Sequence, residues 1–211
     1  VAIGRSALKV NTTGTQNVAV GSLALDANTT SNNNTAVGYS ALTANTTGTR
    51  NTAVGTLALQ SITTGTNSTA IGYEALYYNT GSSNTAVGAR CLDANTTGSS
   101  NVAVGEHALG ANTTASSNIA VGNSALGTNT TGIQNVAVGV EALTANTTAS
   151  NSVALGYRAL KANTTGFSNT ALGTTTLNSC TTGSRNVSIG HGSLEVLTTG
   201  AACVGIGYNC L

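Results

Sequence analysis

Thirteen glycines stand at a fixed pitch along this chain of 211 residues. They are Gly4, Gly21, Gly38, Gly55, Gly72, Gly88, Gly105, Gly122, Gly139, Gly156, Gly173, Gly190 and Gly207. Every interval is 17 residues except the one of 16 between Gly72 and Gly88. A leucine follows four residues after each glycine, and Val, Ile or Leu directly precedes it. So short a period, running from end to end, is typical of a solenoid in which one coil stacks on copies of itself.

The segment Asn34–Arg50, with the sequence N-T-A-V-G-Y-S-A-L-T-A-N-T-T-G-T-R, represents one coil. We number its positions 1 to 17, so that the recurrent glycine is position 5 and the recurrent leucine is position 9. The β-branched residues at positions 2 and 4 predict a short strand over positions 1 to 5. Stacked at about 4.8 Å, about thirteen such coils predict an all-β, parallel β-solenoid (a β-roll or β-helix) over residues 1–211.

The two faces of this strand carry different residues. Position 4 is always Val, Ile or Leu, which predicts that it faces the core, and alternation then places position 3 outside. Position 3 is Ala in eleven of the thirteen coils, so we expect a second copy of the chain to cover it closely. The predicted interface residues are Ala36, Ala53, Ala70, Ala103, Ala120 and Ala137. The predicted core ladder is Val37, Leu42, Val54, Leu59, Val104, Leu109, Val121 and Leu126.

The arc after the glycine has two interpretations. Gly38, Ala41, Leu42 and Asn45 follow the i, i+3, i+4, i+7 spacing of a helical face, which favours a short helical turn. The alternative is a strand whose Ala41 faces a neighbouring chain while Leu42 faces the core. Thr and Asn are weak helix formers and a two-turn helix is marginal, so the sequence favours the strand. The corner Asn45, replaced by Ile or Leu in some coils, is expected to point inward.

Charge marks the solvated part of the coil. All seven basic and six acidic residues fall at positions 6, 7, 10 and 17 of the repeat. The predicted exposed residues that vary from coil to coil are Tyr39, Tyr73, Glu74, Arg90, Glu106, His107, Tyr157 and Arg158. Because the net charge is only +1, no basic stripe is present, which argues against a nucleic-acid partner. No apolar run approaches the length of about 18 residues that a membrane helix needs.

The string N-S-V-A-L-G at Asn151–Gly156, and the N-x-A-V/I-G strings of other coils, resemble the head repeats of trimeric autotransporter adhesins. The longer string N-T-A-V-G-Y-S-A-L-T-A-N-T-T-G also resembles repeat arrays in phage and giant-virus fibre proteins. This resemblance covers the whole chain and implies a parallel β-roll, left-handed in the adhesins, that associates as a homotrimer. The adhesin repeat is shorter than the 17 residues found here, so handedness and trimer geometry do not transfer with it.

Reactive side chains are too few to predict an enzyme, a metal site or a cofactor. His107 and His191 lie in the exposed stretch after a glycine, where other coils carry Ser, Tyr, Glu, Arg or Thr. No carboxylate pair recurs, and neither a phosphate-binding loop nor a nucleophile elbow is present. The two Asp residues of the chain cannot form a ladder of calcium sites.

The cysteines take positions that other coils fill with Ala or Asn, which favours free, buried, apolar residues. They are Cys91, Cys180, Cys203 and Cys210. A disulfide involving the last three is the alternative. Asn-Thr-Thr, formally a glycosylation acceptor, occurs eight times, but an inward corner Asn would be a poor acceptor.

The sequence therefore predicts a structural, non-catalytic component of an extracellular, cell-surface or virion-surface fibre, self-associating as a homotrimer or filament. Because the chain begins and ends partway through a repeat, we expect a segment of a longer fibre. One alternative is an adhesin that binds a glycan or receptor through the exposed residues after each glycine. The other is ice binding by the rows of paired Thr at positions 13 and 14.

Overall fold

Thirteen short strands form the regular secondary structure of the protein, in a computed structural model that describes Val1–Leu211. They are β1 (Ala2–Ile3), β2 (Val18–Val20), β3 (Thr35–Val37), β4 (Thr52–Val54), β5 (Thr69–Ile71), β6 (Thr85–Val87), β7 (Val102–Val104), β8 (Ile119–Val121), β9 (Val136–Val138), β10 (Val153–Leu155), β11 (Thr170–Leu172), β12 (Val187–Ile189) and β13 (Val204–Ile206). All thirteen lie in one parallel sheet in chain order, about twelve full turns. The predicted all-β solenoid with a 17-residue repeat is confirmed.

The strands pair in register, so that equivalent positions form columns along the solenoid axis. Ala103, Ala120 and Ala137, for example, are successive partners in β7, β8 and β9. The 16-residue interval does not disturb this register, since Ala70 still pairs with Ala86. The short coil instead lacks one residue of the Thr pair at the corner, which leaves the sheet intact.

Backbone geometry explains the pitch of the glycines. Gly122 has a φ of +133°, a conformation that residues with a Cβ rarely adopt. A Cβ added there would also lie 2.5 Å from the carbonyl oxygen of Gly139 in the next coil. Position 5 therefore excludes a side chain on two independent grounds, and each coil must supply a glycine.

The alanines of position 3 point into the solenoid, not out of it. Ala36, Ala53, Ala70, Ala103, Ala120 and Ala137 are each 0% exposed and belong to one continuous apolar core. The prediction that they face outward and form an intermolecular interface is wrong, because their own chain already encloses them.

The aliphatic residues of position 4 take the opposite side of the sheet. Val37, Val54 and Val121 are only half-buried, and Val104 is exposed. Their predicted place in the core is wrong, since strand alternation puts them outside once the alanines are inside. The predicted core leucines are confirmed as fully buried: Leu42, Leu59, Leu109 and Leu126.

The interior beside the strand is narrow, which explains the small residue. Gly205 occupies position 3 in β13, and a Cβ there would lie 2.6 Å from the Cγ of Leu194, the position 9 leucine of the preceding coil. At position 3 of β12, the Ser188 hydroxyl accepts a hydrogen bond of 2.6 Å from Thr176, a position 8 residue. Position 3 therefore faces positions 8 and 9 across the interior, and little more than a methyl group fits.

The arc after the glycine is neither the predicted strand nor the alternative helix; it is a succession of turns. Ser40 and Leu42 both have a φ of 52°, whereas the intervening Ala41 does not have a positive φ. Ala41 and Leu42 are both fully buried, which the alternation of an extended strand would not allow. The conformation also explains why position 9 is never Val or Ile, because β-branched residues are strongly disfavoured at positive φ.

Two columns of buried asparagines complete the interior at its corners. At position 1, the backbone N–H of Asn135 donates to Oδ1 of Asn118 at 2.9 Å, and Nδ2 of Asn118 donates to the Gly132 carbonyl at 2.9 Å. At position 12, Nδ2 of Asn112 donates to Oδ1 of Asn95 at 2.7 Å. The prediction that the corner Asn points inward is confirmed. These ladders link each coil to the next and satisfy buried backbone groups that turns leave unpaired.

The position 12 ladder is incomplete where the asparagine is replaced. Ile62 follows Asn45 along this column, and Cys180 follows Asn163. Oδ1 of Asn45 and Oδ1 of Asn163 are both buried without a hydrogen-bond partner. Each acceptor is left unpaired because the residue stacked on it has no amide N–H₂ to donate.

Candidate interaction surfaces

On its outer side the sheet presents two columns of side chains, at positions 2 and 4 of the repeat. We call these two columns, which consist of aliphatic residues and threonine, the outer sheet face. Position 2 is Val, Ile or Thr in every coil. Position 4 comprises Ile3, Val20, Val37, Val54, Ile71, Val87, Val104, Val121, Val138, Leu155, Leu172, Ile189 and Ile206. Within the stack, Ile71 is 41% exposed and Leu155 46%, and exposure is higher in the two end coils, at Ile3 and Ile206.

No charged residue interrupts either column of the outer sheet face. Thirteen strands at about 4.8 Å give a length of about 60 Å, and three residues per strand give a width of about 10 Å. The face therefore spans about 600 Å² of sheet, aliphatic except for the threonines at position 2.

The predicted exposed residues lie on the arc at positions 6 and 7, and several come together in clusters. In the first cluster, Nε of Arg90 lies 2.9 Å from Oε2 of Glu74, and the guanidinium lies 5.8 Å from the ring centroid of Tyr73. The Glu74 carboxylate raises the pKa of Tyr73. The Tyr73 hydroxyl, and then Arg90, hold the pKa of Glu74 below its usual value.

A second cluster contains Glu141, Tyr157, Arg158 and Lys161. Arg158 and Lys161 approach the same Glu141 oxygen at 2.6 Å and 3.0 Å. Lys161 first, and then Arg158, lower the pKa of Glu141. Arg158 also lies 4.8 Å from the ring centroid of Tyr157. Ion pairs this exposed contribute little to stability.

The remaining predicted exposed residues are more isolated. Tyr39 is 51% exposed. His107 lies 4.0 Å from Oε1 of Glu106. At the C-terminal end of the solenoid, His191 stacks on Tyr208 with ring centroids 5.3 Å apart.

Sequence reasoning missed a groove of about 380 Å³ beside the first cluster. It is lined by Glu74, Tyr77, Tyr78, Arg90, Asp93 and His107, from three successive coils. Two signals in the sequence mark this place. The adjacent tyrosines Tyr77 and Tyr78 are the only aromatic residues at positions 10 and 11 in any coil, and they belong to the coil that is one residue short.

The two Thr rows have different environments. Position 13 hydroxyls donate to the carbonyl of the next coil, as from Thr46 to Thr63 at 3.2 Å and from Thr96 to Thr113 at 2.9 Å. The position 14 residues, such as Thr47, are exposed, and this row is interrupted at the short coil. The position 14 row is therefore exposed, whereas the position 13 row, exposed in some coils such as that of Thr96, is largely hydrogen-bonded to the neighbouring coil.

The four cysteines are free thiols. Cys91 and Cys180 are buried, and burial raises the pKa of Cys91 to about 12. Cys203 and Cys210 are half-buried near the end of the solenoid, and Sγ of Cys210 lies 2.9 Å from Oγ of Ser193. The interpretation as free apolar residues holds for all four, and only the first two are fully enclosed.

Seven of the eight Asn-Thr-Thr asparagines are fully buried, and Asn11 in the first coil is half-buried. Their Nδ2 groups donate inward, as from Asn45 to the Gly48 carbonyl at 3.0 Å. The atom that would carry a glycan is thus enclosed by the fold.

Comparisons with protein-family models, with curated proteins and with solved structures give no match. The protein contains no helix with the length and hydropathy needed to cross a membrane.

Proposed function

We propose that the protein is a structural subunit of an extracellular or virion-surface fibre, and that copies associate side by side through the outer sheet face, as a homotrimer. The observation that carries this proposal is the uninterrupted pair of uncharged columns at positions 2 and 4. This face replaces the alanine column as the self-association surface.

Its composition supports a protein partner rather than solvent. In 13 coils, neither position carries Lys, Glu, Arg, Asp, Asn or Gln, although positions 6, 7, 10 and 17 of the same coils carry all the charges. Two facing copies would bury about 1,200 Å² in total, which reaches the lower end of stable protein interfaces.

The partner best suited to such a face is another copy of the chain. Side chains on the outer sheet face repeat at the strand spacing of about 4.8 Å along about 60 Å. Ridges and grooves with this spacing mesh over the whole length only with a surface of equal spacing, and a second copy supplies one. The resemblance to the adhesin and fibre repeats favours three copies around one axis.

A stiff spacer is the activity that this assembly would perform. One coil cannot stabilise itself, because ordering 17 residues costs on the order of 20 kcal/mol while its buried Leu and Ala return only a few. Stability comes instead from the ladders that join neighbouring coils, so resistance to bending and proteolysis is collective.

Light scattering on the purified chain tests the proposal. The chain mass is 20.6 kDa, so the trimer has about three times that mass. Replacing Val54 and Val121 together by Lys should give a folded species of one chain mass, because a buried Lys without a partner is costly at an interface. The matched control replaces Thr47 and Thr97, exposed corner residues, by Lys and should keep the trimer mass. A wild-type chain that is monomeric at high concentration would refute the proposal.

A further inference from the structure

The groove crosses the short coil and the two coils that follow it, and the position 10 column runs along it. Position 10 is occupied in succession by Tyr77, Asp93 and Gly110. Other coils place Lys, Asp, Thr, Gln, Asn, Glu or, at Gly127, a second glycine there, so the fold does not require glycine at this position. Gly110 adds no side chain beside the Asp93 carboxylate, and a Cβ there would be in ordinary contact with Oδ1 of Asp93, at 3.7 Å.

Two aromatic rings form one wall of the groove. Tyr77 and Tyr78 meet edge to face, with centroids 4.6 Å apart and an angle of 85° between the ring planes. Tyr78 is 57% exposed. In all other coils position 11 is Ala, Ser, Thr or Val, so this aromatic surface occurs once in an otherwise repetitive rod.

The other lining residues are charged or polar, and some of them are paired with each other while others are not. Glu74 and Arg90 are paired with each other at 2.9 Å, which holds both side chains in place. Asp93 is half-buried, and burial raises its pKa, yet no protein side chain donates a hydrogen bond to its carboxylate. His107 contributes an exposed imidazole. An acceptor and several donors therefore lie beside an apolar ring surface.

We propose that this groove binds one pyranose ring of a neutral glycan. Its volume of about 380 Å³ lies at the small end of the range for ligand sites. The C–H face of a pyranose packs on an aromatic ring, while its hydroxyls both donate and accept hydrogen bonds. Asp93 would accept from a pair of ring hydroxyls, and Arg90 and His107 would donate to them.

Charge restricts the class of sugar. Glu74 and Asp93 are acidic and Arg90 is basic, so the groove carries an excess of one negative charge when His107 is neutral. Sugar acids would meet repulsion from the open carboxylate of Asp93. A neutral hexopyranose is therefore preferred to a sialic acid.

This inference goes beyond the fibre role and stands apart from it. The groove lies on the arc at positions 6 to 11, whereas the proposed association uses positions 2 and 4. Loss of sugar binding and loss of the trimer mass are consequently separate results, obtained with different variants.

Saturation-transfer NMR and titration calorimetry on the full chain test the groove with four probes: methyl glycosides of galactose, glucose and mannose, and N-acetylneuraminic acid. We expect at least one neutral glycoside to bind, with its ring C–H protons closest to the protein. The exposed Tyr78→Ala variant should lose affinity about tenfold through its lost ring contact. The Asp93→Asn variant should also lose affinity about tenfold, because a neutral amide replaces the charged carboxylate that accepts hydrogen bonds from the sugar.

The second cluster supplies the matched control. Tyr157→Ala removes another exposed tyrosine, 44% exposed against 57% for Tyr78, beside an Arg and a Glu that line no groove. This variant should bind the glycoside as wild type does. Equal denaturation midpoints establish that the variants are folded. Absence of binding for every neutral glycoside, preference for N-acetylneuraminic acid, or unchanged affinity in both Tyr78→Ala and Asp93→Asn would each overturn the proposal.

Discussion

The two sides of the thirteen-stranded sheet obey different constraints, although they alternate residue by residue along every strand. The inner column, at position 3, holds Ala in eleven coils. The other two coils carry Ser188 and Gly205, whose side chains are also small. The outer column at position 4 accepts Val and also the larger Ile and Leu, the latter as Leu155 and Leu172. Side-chain volume is therefore limited on the inside, where the arc of the preceding coil packs against the strand, and is less limited on the outside.

The comparison teaches that a column of small residues does not by itself reveal what packs against it. A neighbouring molecule and the opposite wall of the same solenoid restrict volume equally well. Here the opposite wall is responsible, since leucines at position 9 meet the strand from within.

The largest effect should come from enlarging the inner column. Ala120→Leu would force three extra carbons against buried neighbours, and we expect the free energy of unfolding to fall by about 3 kcal/mol. Val121→Leu, one residue on, should change it by less than about 0.5 kcal/mol, because the outer column already accepts leucine in two coils. Denaturant titration of both variants measures the difference. Similar losses at the two positions would contradict the assignment of faces.

A smaller loss is expected from the asparagine ladder that borders the inner column. Asn118→Ala leaves the Asn135 N–H buried without its partner and removes one of the two donors to the Gly132 carbonyl, the other being Nδ2 of Asn129, at a cost of about 2 kcal/mol. Asn118→Ser should recover part of the lost stability. Ser68 occupies the same position 1 in the native chain, and its hydroxyl accepts a hydrogen bond from the N–H of Asn84 in the next coil at 3.3 Å. Equal stabilities of the Ala and Ser variants would show that the ladder contributes nothing.

The conformation of the core leucine gives a third test, with a smaller effect still. Leu126 has a φ of 50°, where a β-branched side chain is strained. Leu126→Ile, which conserves volume, should therefore destabilise by about 1.5 kcal/mol more than Leu126→Met. The same denaturant titration compares them, and an Ile variant as stable as the Met variant would argue against the turn conformation of the arc.

The smallest perturbation is chemical and leaves the sequence unchanged. The pKa of Cys91 is raised to about 12 by burial, so the folded chain holds this thiol protonated at pH 8, where alkylating reagents attack thiolates. Cys203 and Cys210 should be alkylated first, and Cys91 only on unfolding, as peptide mapping by mass spectrometry would report. An unfolded chain loses this proton at lower pH, so raising the pH through the ordinary thiol range should lower stability. Early alkylation of Cys91 would show that the interior is open at position 8 of the arc.

Much of the fold could be predicted from the sequence, because the 17-residue repeat by itself indicates a stack of equal coils. The pitch of the glycines and the buried leucines follow from positions that do not vary between coils, and the inward corner Asn follows from its replacement by Ile or Leu in some coils. Alternation required positions 3 and 4 to lie on opposite faces but could not tell which face was inside, since Ala36 and Val37 are both apolar. The conformation of the arc could not be predicted from the sequence, because the positive φ of Leu42 occurs in neither an α-helix nor a β-strand. The groove beside Tyr77 could not be predicted from the repeat, because it is lined by residues such as Tyr78 and His107 that occur at their positions only once.

Disulfide trapping tests the central claim most directly, namely that the alanines face inward and the aliphatic columns meet a second copy. The experiment uses a chain in which Cys203→Asn and Cys210→Ala restore the residues common to other coils, with either Ala120→Cys or Val121→Cys added. Mild oxidation followed by non-reducing electrophoresis should give covalent dimers from Val121→Cys and only monomer from Ala120→Cys. Dimers from the position 120 variant alone, or from neither variant, would contradict the account.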